Sequence, residues 1–328
     1  MTSFKEFERY VRNPRNLDAS ELEASQKEER EEAPTKAVSD ADFTAWLDEV
    51  VEKEFGSWEQ IDKDKDVLKG NRALSADLVG ADTYQFTRKS VERAQYGRVK
   101  YSFVRQALEA VHLGEGDTLV DIGSGIGTVV LQAAATFGCR ALGIELMIPR
   151  HQVALRLLPH FEAYAQKHSA DWAARVRFLQ GDFRVPEHFK ECRKASVLFV
   201  NNAETVFQAR SVVAGAQTLD WHVARLFGGM EKGSRIICIE PLIDLETQNL
   251  APCFERREYM SEGGATSWTM TKRTRFVTYL KQLDQWTCVR CQAVNDILSQ
   301  SSDEWGETFC DTCLNCGSGS KRVMRRRN

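Results

Sequence analysis

The spacing of apolar positions changes character several times along the chain. Residues 1–40 are polar and charged with little periodicity, which predicts a flexible tail. Phe43, Trp46, Leu47, Val50 and Val51 then recur at helical spacing, behind the candidate caps Ser39 and Asp40 and ahead of Gly56. They open an N-terminal helical region over 41–99, whose later part reads as mixed loop and helix. From Lys100 the pattern is different. Phe103, Val104, Ala107, Leu108 and Val111 mark a helix stopping near Gly114. Short apolar runs follow at Thr118–Ile122, Ala141–Glu145, Val176–Gln180, Val197–Val200 and Arg235–Ile239, separated by helical stretches. One of these stretches, Thr128–Phe137, is closed by Gly138. Apolar runs of that length alternating with helices predict an α/β fold, a mostly parallel sheet covered by helices on both faces, over 100–285. Residues 274–283 alternate and could supply an antiparallel pair at one edge. From Trp286 the composition shifts to Cys, Gly, Ser and Arg, which sets off a small module over 286–318 and a basic tail over 319–328.

Composition narrows the function classes. With 328 residues, 42% apolar and 28% charged, the chain has room for one α/β domain and appendages and reads as soluble. No apolar run approaches the ~18 residues of a membrane span, so no membrane partner is expected. The N-terminus lacks an apolar signal region. The nine cysteines are therefore expected in metal sites or burial rather than disulfides. The net charge of -3 conceals a separation of sign. Residues 18–32 are strongly acidic, whereas Lys321, Arg322, Arg325, Arg326 and Arg327 have no acid among them. A basic tail that dense can meet DNA or RNA phosphates or serve nuclear import.

The chemistry concentrates at strand ends. Asp121-Ile122-Gly123-Ser124-Gly125-Ile126-Gly127-Thr128 follows the first strand and opens a helix. Glycines there allow a tight turn and close approach to a ligand. The spacing is not that of dinucleotide folds, and Asp121 would oppose a pyrophosphate. A sulfonium cofactor carrying an ammonium group suits it instead. Glu145 ends the second strand, where a carboxylate can accept from both ribose hydroxyls. Gly181-Asp182-Phe183 follows the third: the acid can take an adenine amino group and the ring can lie on the base.

This run of motifs resembles class I methyltransferases and implies S-adenosylmethionine as methyl donor. More narrowly, residues 94–284 resemble the non-SET histone lysine methyltransferase family named for disruption of telomeric silencing. The resemblance is carried by Tyr96-Gly97, by Val120 to Gly127 followed by Val129-Val130-Leu131-Gln132, and by Gly143-Ile144-Glu145, Gly181-Asp182-Phe183, Val200-Asn201-Asn202, Gly233 to Ile237 and Ser267-Trp268-Thr269. It implies methylation of a lysine on the globular surface of histone H3 in the nucleosome, in the nucleus. It assigns Asp121, Gly123, Ser124, Gly125, Gly127, Glu145, Asp182 and Phe183 to the cofactor. Tyr96 and its loop, through Val99, would cover the methionine end. Asn201 would sit beside the reacting methyl, and Trp268 with Phe276 or Thr278 would line the lysine channel. Arg98 and Val99 depart from the family's loop, and Ala203, Glu204 and Thr205 occupy ground where it has a channel aromatic. A methyltransferase of RNA or of another protein, and a non-catalytic chromatin-binding member of the fold, are the alternative readings.

The attacking lysine must be neutral although a free one titrates near ~10.4. A dry channel beside a sulfonium lowers that value by desolvation and like charge, so no dedicated base is expected. In the terminal module, Cys288-Val-Arg-Cys291 and Cys310-Asp-Thr-Cys313 suit tetrahedral zinc, with Cys316 as a fifth candidate. The second pair is Cys310 with Cys313 or Cys313 with Cys316. Trp286, Cys288, Cys291 and Asn295 resemble the start of a nucleoporin-type zinc finger, whose members bind RNA or ubiquitin. Cys139, Cys192, Cys238 and Cys253 are expected as buried small residues.

Overall fold

The computed structural model describes residues 37–63, 99–203, 207, 217–262, 273–288, 290–300 and 307–319. Tyr96, Gly97, Arg98, Glu204, Thr205, Trp268, the acidic segment and the basic tail lie outside them.

Two helices come first, α1 (Asp40–Phe55) and α2 (Trp58–Lys63). Of the two candidate caps for α1, Ser39 is the one used. Its hydroxyl accepts from the Asp42 N–H at 3.1 Å, and Gly56 closes the far end with positive φ and a bond to the Glu52 carbonyl. The apolar face bearing Phe43, Leu47, Val50 and Val51 is buried, and Trp46 stacks on Tyr164 at 4.5 Å between ring centres. Helix α3 (Tyr101–Ala110) buries the face that its periodicity marked.

The sheet then assembles as β1 (Thr118–Ile122), α4 (Thr128–Phe137), β2 (Arg140–Glu145), α5 (Ile148–Lys167), β3 (Val176–Gln180), α6 (Pro186–Cys192), β4 (Val197–Val200), α7 (Leu219–Gly228) and β5 (Arg235–Cys238). Strands β6 (Phe254–Met260) and β7 (Arg275–Lys281) complete it. The order is β3-β2-β1-β4-β5-β7-β6, with β1 to β5 parallel and β7 antiparallel to both its neighbours. The alternating stretch near 275–281 is therefore not the outermost strand. That place belongs to β6, a strand too charged to stand out from the pattern of the sequence. Its one free edge and its arginines Arg256 and Arg257, paired with Glu246 and Glu255, explain why an edge strand tolerates that composition.

Two apolar clusters sandwich the sheet. One holds Leu119, Ala141, Val197, Phe199 and Ile237 against α1, α3, α4 and α5. The other holds Val120, Leu142, Leu198, Ile236 and Tyr279 against α6 and α7. Both faces are covered, which is why β4 is apolar throughout and β1 is apolar apart from Thr118 and Asp121. No helix among the described residues is long and apolar enough to cross a membrane.

Candidate cofactor site and cysteine cluster

The chain runs from β1 outward to β3, then returns to β4 and moves the other way. The connections that leave the carboxyl ends of the paired strands β1 and β4 thus run in opposite directions, and this is the place where doubly wound sheets bind ligands. The glycine loop leaves β1 there and Asn201 leaves β4. The two-residue alternation of strands puts Asp121, Glu145 and Asn201 on one face, in step with Leu119, Ala141 and Phe199.

The loop is built around close approach. The N–H groups of Gly123 and Ser124 both donate to the Ile144 carbonyl, at 2.9 and 3.0 Å. Gly123, Gly125 and Gly127 all have positive φ. A Cβ on Gly127 would stand 2.5 Å from the Phe178 ring, whereas one on Gly123 would meet nothing within 4 Å. The loop packs tightly against the sheet on one side and stays open on the other. Gly143 is equally cramped, with 2.7 Å to Ser124 Oγ and 2.8 Å to Phe178 Cδ1. Gly143→Ala is therefore expected to displace Ser124 and cost about 1–3 kcal/mol in urea unfolding. A change under ~0.3 kcal/mol would mean the loop yields freely.

Asp121 is buried, and its carboxyl is pushed up to about 8, first by burial and then by the charge of Glu145. A carboxylate so placed is poised to meet a cation. Glu145 accepts from Gly125 N at 2.7 Å and Met147 N at 2.8 Å, one on each oxygen. Each oxygen retains a lone pair, so these bonds orient the group and leave it able to accept hydroxyls. Ser124 Oγ and Asn201 Oδ1 are buried with no hydrogen-bond partner among the described residues. Such orphaned groups are uncommon and fit a polar ligand. His151, one turn into α5, has its pKa lowered by burial, partly opposed by Glu145.

Other expected residues stand differently. Asp182 is held by Arg184 in a buried pair, through Nη2–Oδ2 at 2.5 Å and Nε–Oδ1 at 3.0 Å. Phe183 packs with Leu142, Ile144 and Phe189 in the second cluster. Val99 has its side chain in the first cluster, leaving only its backbone to reach a ligand. Phe276 follows Arg275 at the start of β7, level with the carboxyl end of β5 because Val277 pairs with Cys238. Its buried ring stacks on Tyr259 at 5.1 Å and meets Phe103 edge-on at 5.4 Å. Thr278 is buried two residues further along. The second asparagine, Asn202, points away from Asn201 and is fully bonded within the fold.

Beyond the sheet, β8 (Gln285–Thr287) pairs with β9 (Val294–Asp296), and β10 (Leu298–Gln300) with β11 (Glu307–Phe309). The sulfurs of Cys288, Cys291, Cys313 and Cys316 all lie within 4.8 Å of one another. Cys288 and Cys316 are 3.7 Å apart, Cys291 and Cys313 3.5 Å. Sulfurs ~2.3 Å from a tetrahedral zinc stand roughly 3.8 Å apart, so the set fits that ion. Each pair sits on the same kind of turn. Gln292 N–H donates to the Cys288 carbonyl and Gly317 N–H to the Cys313 carbonyl, both at 2.8 Å, with positive φ at Gln292 and Gly317. Of the two second pairs that the spacing left open, Cys313 with Cys316 is the one brought together, and Cys310 lies outside the cluster. It belongs to the strand end after β11, where its thiol faces the Thr312 carbonyl and its own carbonyl accepts from Trp286 Nε1. The β10–β11 hairpin is an insertion between the two pairs, and it brought Cys310 to the correct spacing in sequence without bringing it to the cluster. Nor is the module detached from the sheet. Trp286, Cys288, Ile297 and Cys313 belong to the second apolar cluster, together with Phe227 of α7. Cys139, Cys192, Cys238 and Cys253 are buried, with burial pushing the Cys139 and Cys192 thiols up to about 12.

A parallel sheet with one antiparallel strand inserted beside its edge strand, and an acid-led glycine loop at the switch point, is the class I methyltransferase fold. The chain belongs to the family described as "Histone methylation protein DOT1", whose model matches residues 81–280, more than half its length.

Curated relatives carry the name "Histone-lysine N-methyltransferase, H3 lysine-79 specific". One from Cryptococcus neoformans is 31% identical over 154 residues, covering 45% of this chain and 22% of that protein. One from Drosophila melanogaster is 27% identical, covering 53% of this chain and 9% of its own. One from Gibberella zeae is 27% identical, covering 57% and 37%. The match thus spans well under half the length of each of these relatives. Among solved structures, an RNA methyltransferase from Salinibacter ruber in complex with S-adenosyl-L-homocysteine is similar with a TM-score of 0.39 at 19% identity, over 60% of this chain and 99% of that one. That likeness is too loose to bear on the chemistry.

Proposed function

We propose that the chain is an S-adenosylmethionine-dependent lysine methyltransferase acting on histone H3 within the nucleosome. The observation that carries the reading is the pairing, across the switch point, of a buried Asp121 carboxyl with Asn201, whose carbonyl oxygen is buried without a partner. Family membership and the names of the relatives supply the acceptor. S-adenosylmethionine supplies an electrophilic methyl on a good leaving group, so the protein contributes position more than acid–base chemistry. Asp121 would hold the ammonium group, Glu145 the ribose hydroxyls and Asp182 the adenine amino group, with Phe183 against the base. Arg184 would hold the Asp182 carboxyl in place. Asn201 and Ser124 would bring their free polar atoms to the methionine end. Phe276, with Phe103 and Tyr259 around it, would keep the approach to the methyl dry, and a dry approach favours the neutral amine that must attack. Tyr96 and Trp268 complete the proposal as covers of the cofactor and of the lysine channel.

Cys288, Cys291, Cys313 and Cys316 would hold one structural zinc ion: a closed four-thiolate set leaves no position for a substrate. The basic residues 321–327 would meet nucleosomal DNA, consistent with a nuclear protein.

Labelled S-adenosylmethionine offered with nucleosomes, free histones and RNA in parallel tests the assignment. Label on H3 only in nucleosomes is the expected result. Label on RNA, or on no acceptor at all, would contradict it.

A further inference from the structure

Strands β4 and β5 are paired in register as far as Val200 and Cys238. Two residues on, the backbone ladder has stopped, yet Asn202 and Glu240 remain joined. Asn202 Oδ1 accepts from Glu240 N at 2.8 Å, and Asn202 Nδ2 donates to the Glu240 carbonyl at 3.0 Å. A side-chain amide here reproduces the donor and acceptor of a ladder pair at the point where the strands part. Its second N–H goes to Asp220 Oδ1 at 3.0 Å. Both donors of the amide are therefore used, and Asn202 is wholly buried.

Asp220 is itself anchored. It lies in the first turn of α7, where the helix's positive end favours a carboxylate, behind Thr218, whose hydroxyl accepts from Trp221 N. Val223, Ala224, Leu226 and Phe227 fix that helix on the sheet, and Trp221 meets Phe309 of the cysteine module edge-on at 6.0 Å. Successive residues of an extended chain face opposite ways. With Val200 and Asn202 committed to the α7 side, Asn201 is left on the side of Asp121 and Glu145.

We infer that Asn202 and Asp220 are positioning residues for methyl transfer: they pin the tip of β4 so that Asn201 turns its carbonyl oxygen toward the donor's sulfonium and methyl. The inference rests on the reading of this cleft as the S-adenosylmethionine site. Its consequence is selective. A carbonyl facing a positive centre matters for S-adenosylmethionine and much less for S-adenosylhomocysteine, which is neutral at sulfur.

Calorimetry on the full chain with both ligands provides the test. Asp220→Ala is expected to weaken S-adenosylmethionine about fivefold or more, the scale of one lost hydrogen bond, while S-adenosylhomocysteine stays within about twofold. Asp220→Asn keeps an oxygen for Asn202 Nδ2 and should restore the preference. Asn202→Asp, which keeps the acceptor for Glu240 N–H and loses both donors, should show the same selective loss and stands in if Asp220→Ala does not fold. Equal loss for the two ligands, equal loss in the two Asp220 variants, or no loss at all would overturn the inference. An unaltered chain that binds neither ligand would instead bring down the reading of the site itself.

Discussion

Binding of S-adenosylmethionine at pH 7 is expected to expel close to one proton from the wild-type chain and none from Asp121→Asn, whose affinity should fall roughly thirty- to a hundredfold. Burial and the neighbouring Glu145 hold the Asp121 carboxyl at about 8, so below that pH it carries a proton. An incoming ammonium group favours the ionised form, and the proton must leave. Calorimetry in two buffers of different ionisation enthalpy reads the number directly. The same raised pKa acts on stability with the opposite sign from the usual carboxylate. In the unfolded chain the group titrates near 3.8, in the folded chain near 8. Between these values the folded state keeps a proton that the unfolded state has shed, so stability falls as pH rises through that window. Asp121→Asn should remove that fall. A variant that melts higher than wild type at pH 8.5 in the absence of ligand, and yet has lost affinity for it, is the signature of a group placed for binding. Lowered stability together with lowered affinity would mark Asp121 as a structural residue instead.

The second large effect concerns the four thiolates. On the proposal that these four cysteines hold zinc, a strong chelator, or Cys313→Ser, is expected to lower the melting temperature of the whole chain by ~10 °C or more, since a structural zinc contributes many kcal/mol to folding. The reason lies in the packing. Cys288 and Cys313 share an apolar cluster with Phe227, Met230 and Tyr279, and Trp286 is buried beneath them. Asn295 ties the two halves together, its Oδ1 accepting from Leu314 N at 3.0 Å while Nδ2 donates to the Ala293 carbonyl. A module that were a separate appendage would melt alone and leave the sheet's transition unchanged, and differential scanning calorimetry distinguishes the two. It follows that a truncation designed to remove the basic arm should begin after residue 319; one beginning at 286 would uncover part of the core.

Strands β1 and β4 were legible because burial on both faces makes them largely apolar runs bounded by turns, whereas β3, at the sheet's edge, shows only through Val176, Phe178 and Leu179. Helix α4 was legible from its Gly138 stop. Strand β6 was not: an edge strand with arginines in ion pairs offers neither alternation nor an apolar run. Asp121 and Glu145 could be placed because strand ends follow from strand limits. What each of two adjacent asparagines does could not, since it depends on how β5 and α7 pack against them. The cysteines left two second pairs open for a related reason. Spacing cannot tell a ligand pair from a cysteine that ends an inserted hairpin, although Gly317 directly after Cys316 was a usable sign of the turn that the Cys313–Cys316 pair makes. The Asp182–Arg184 pair was likewise hidden, because two neighbouring charges in a sequence do not reveal that both are buried.

The claim on which the account stands is that the cleft between the β1 and β4 tips receives S-adenosylmethionine. Titrating the full chain with S-adenosyl-L-homocysteine measures this without any methyl acceptor. One binding site per chain is predicted, with affinity sharply reduced in Asp121→Asn. Heat indistinguishable from dilution, for this product and for S-adenosylmethionine alike, would contradict it.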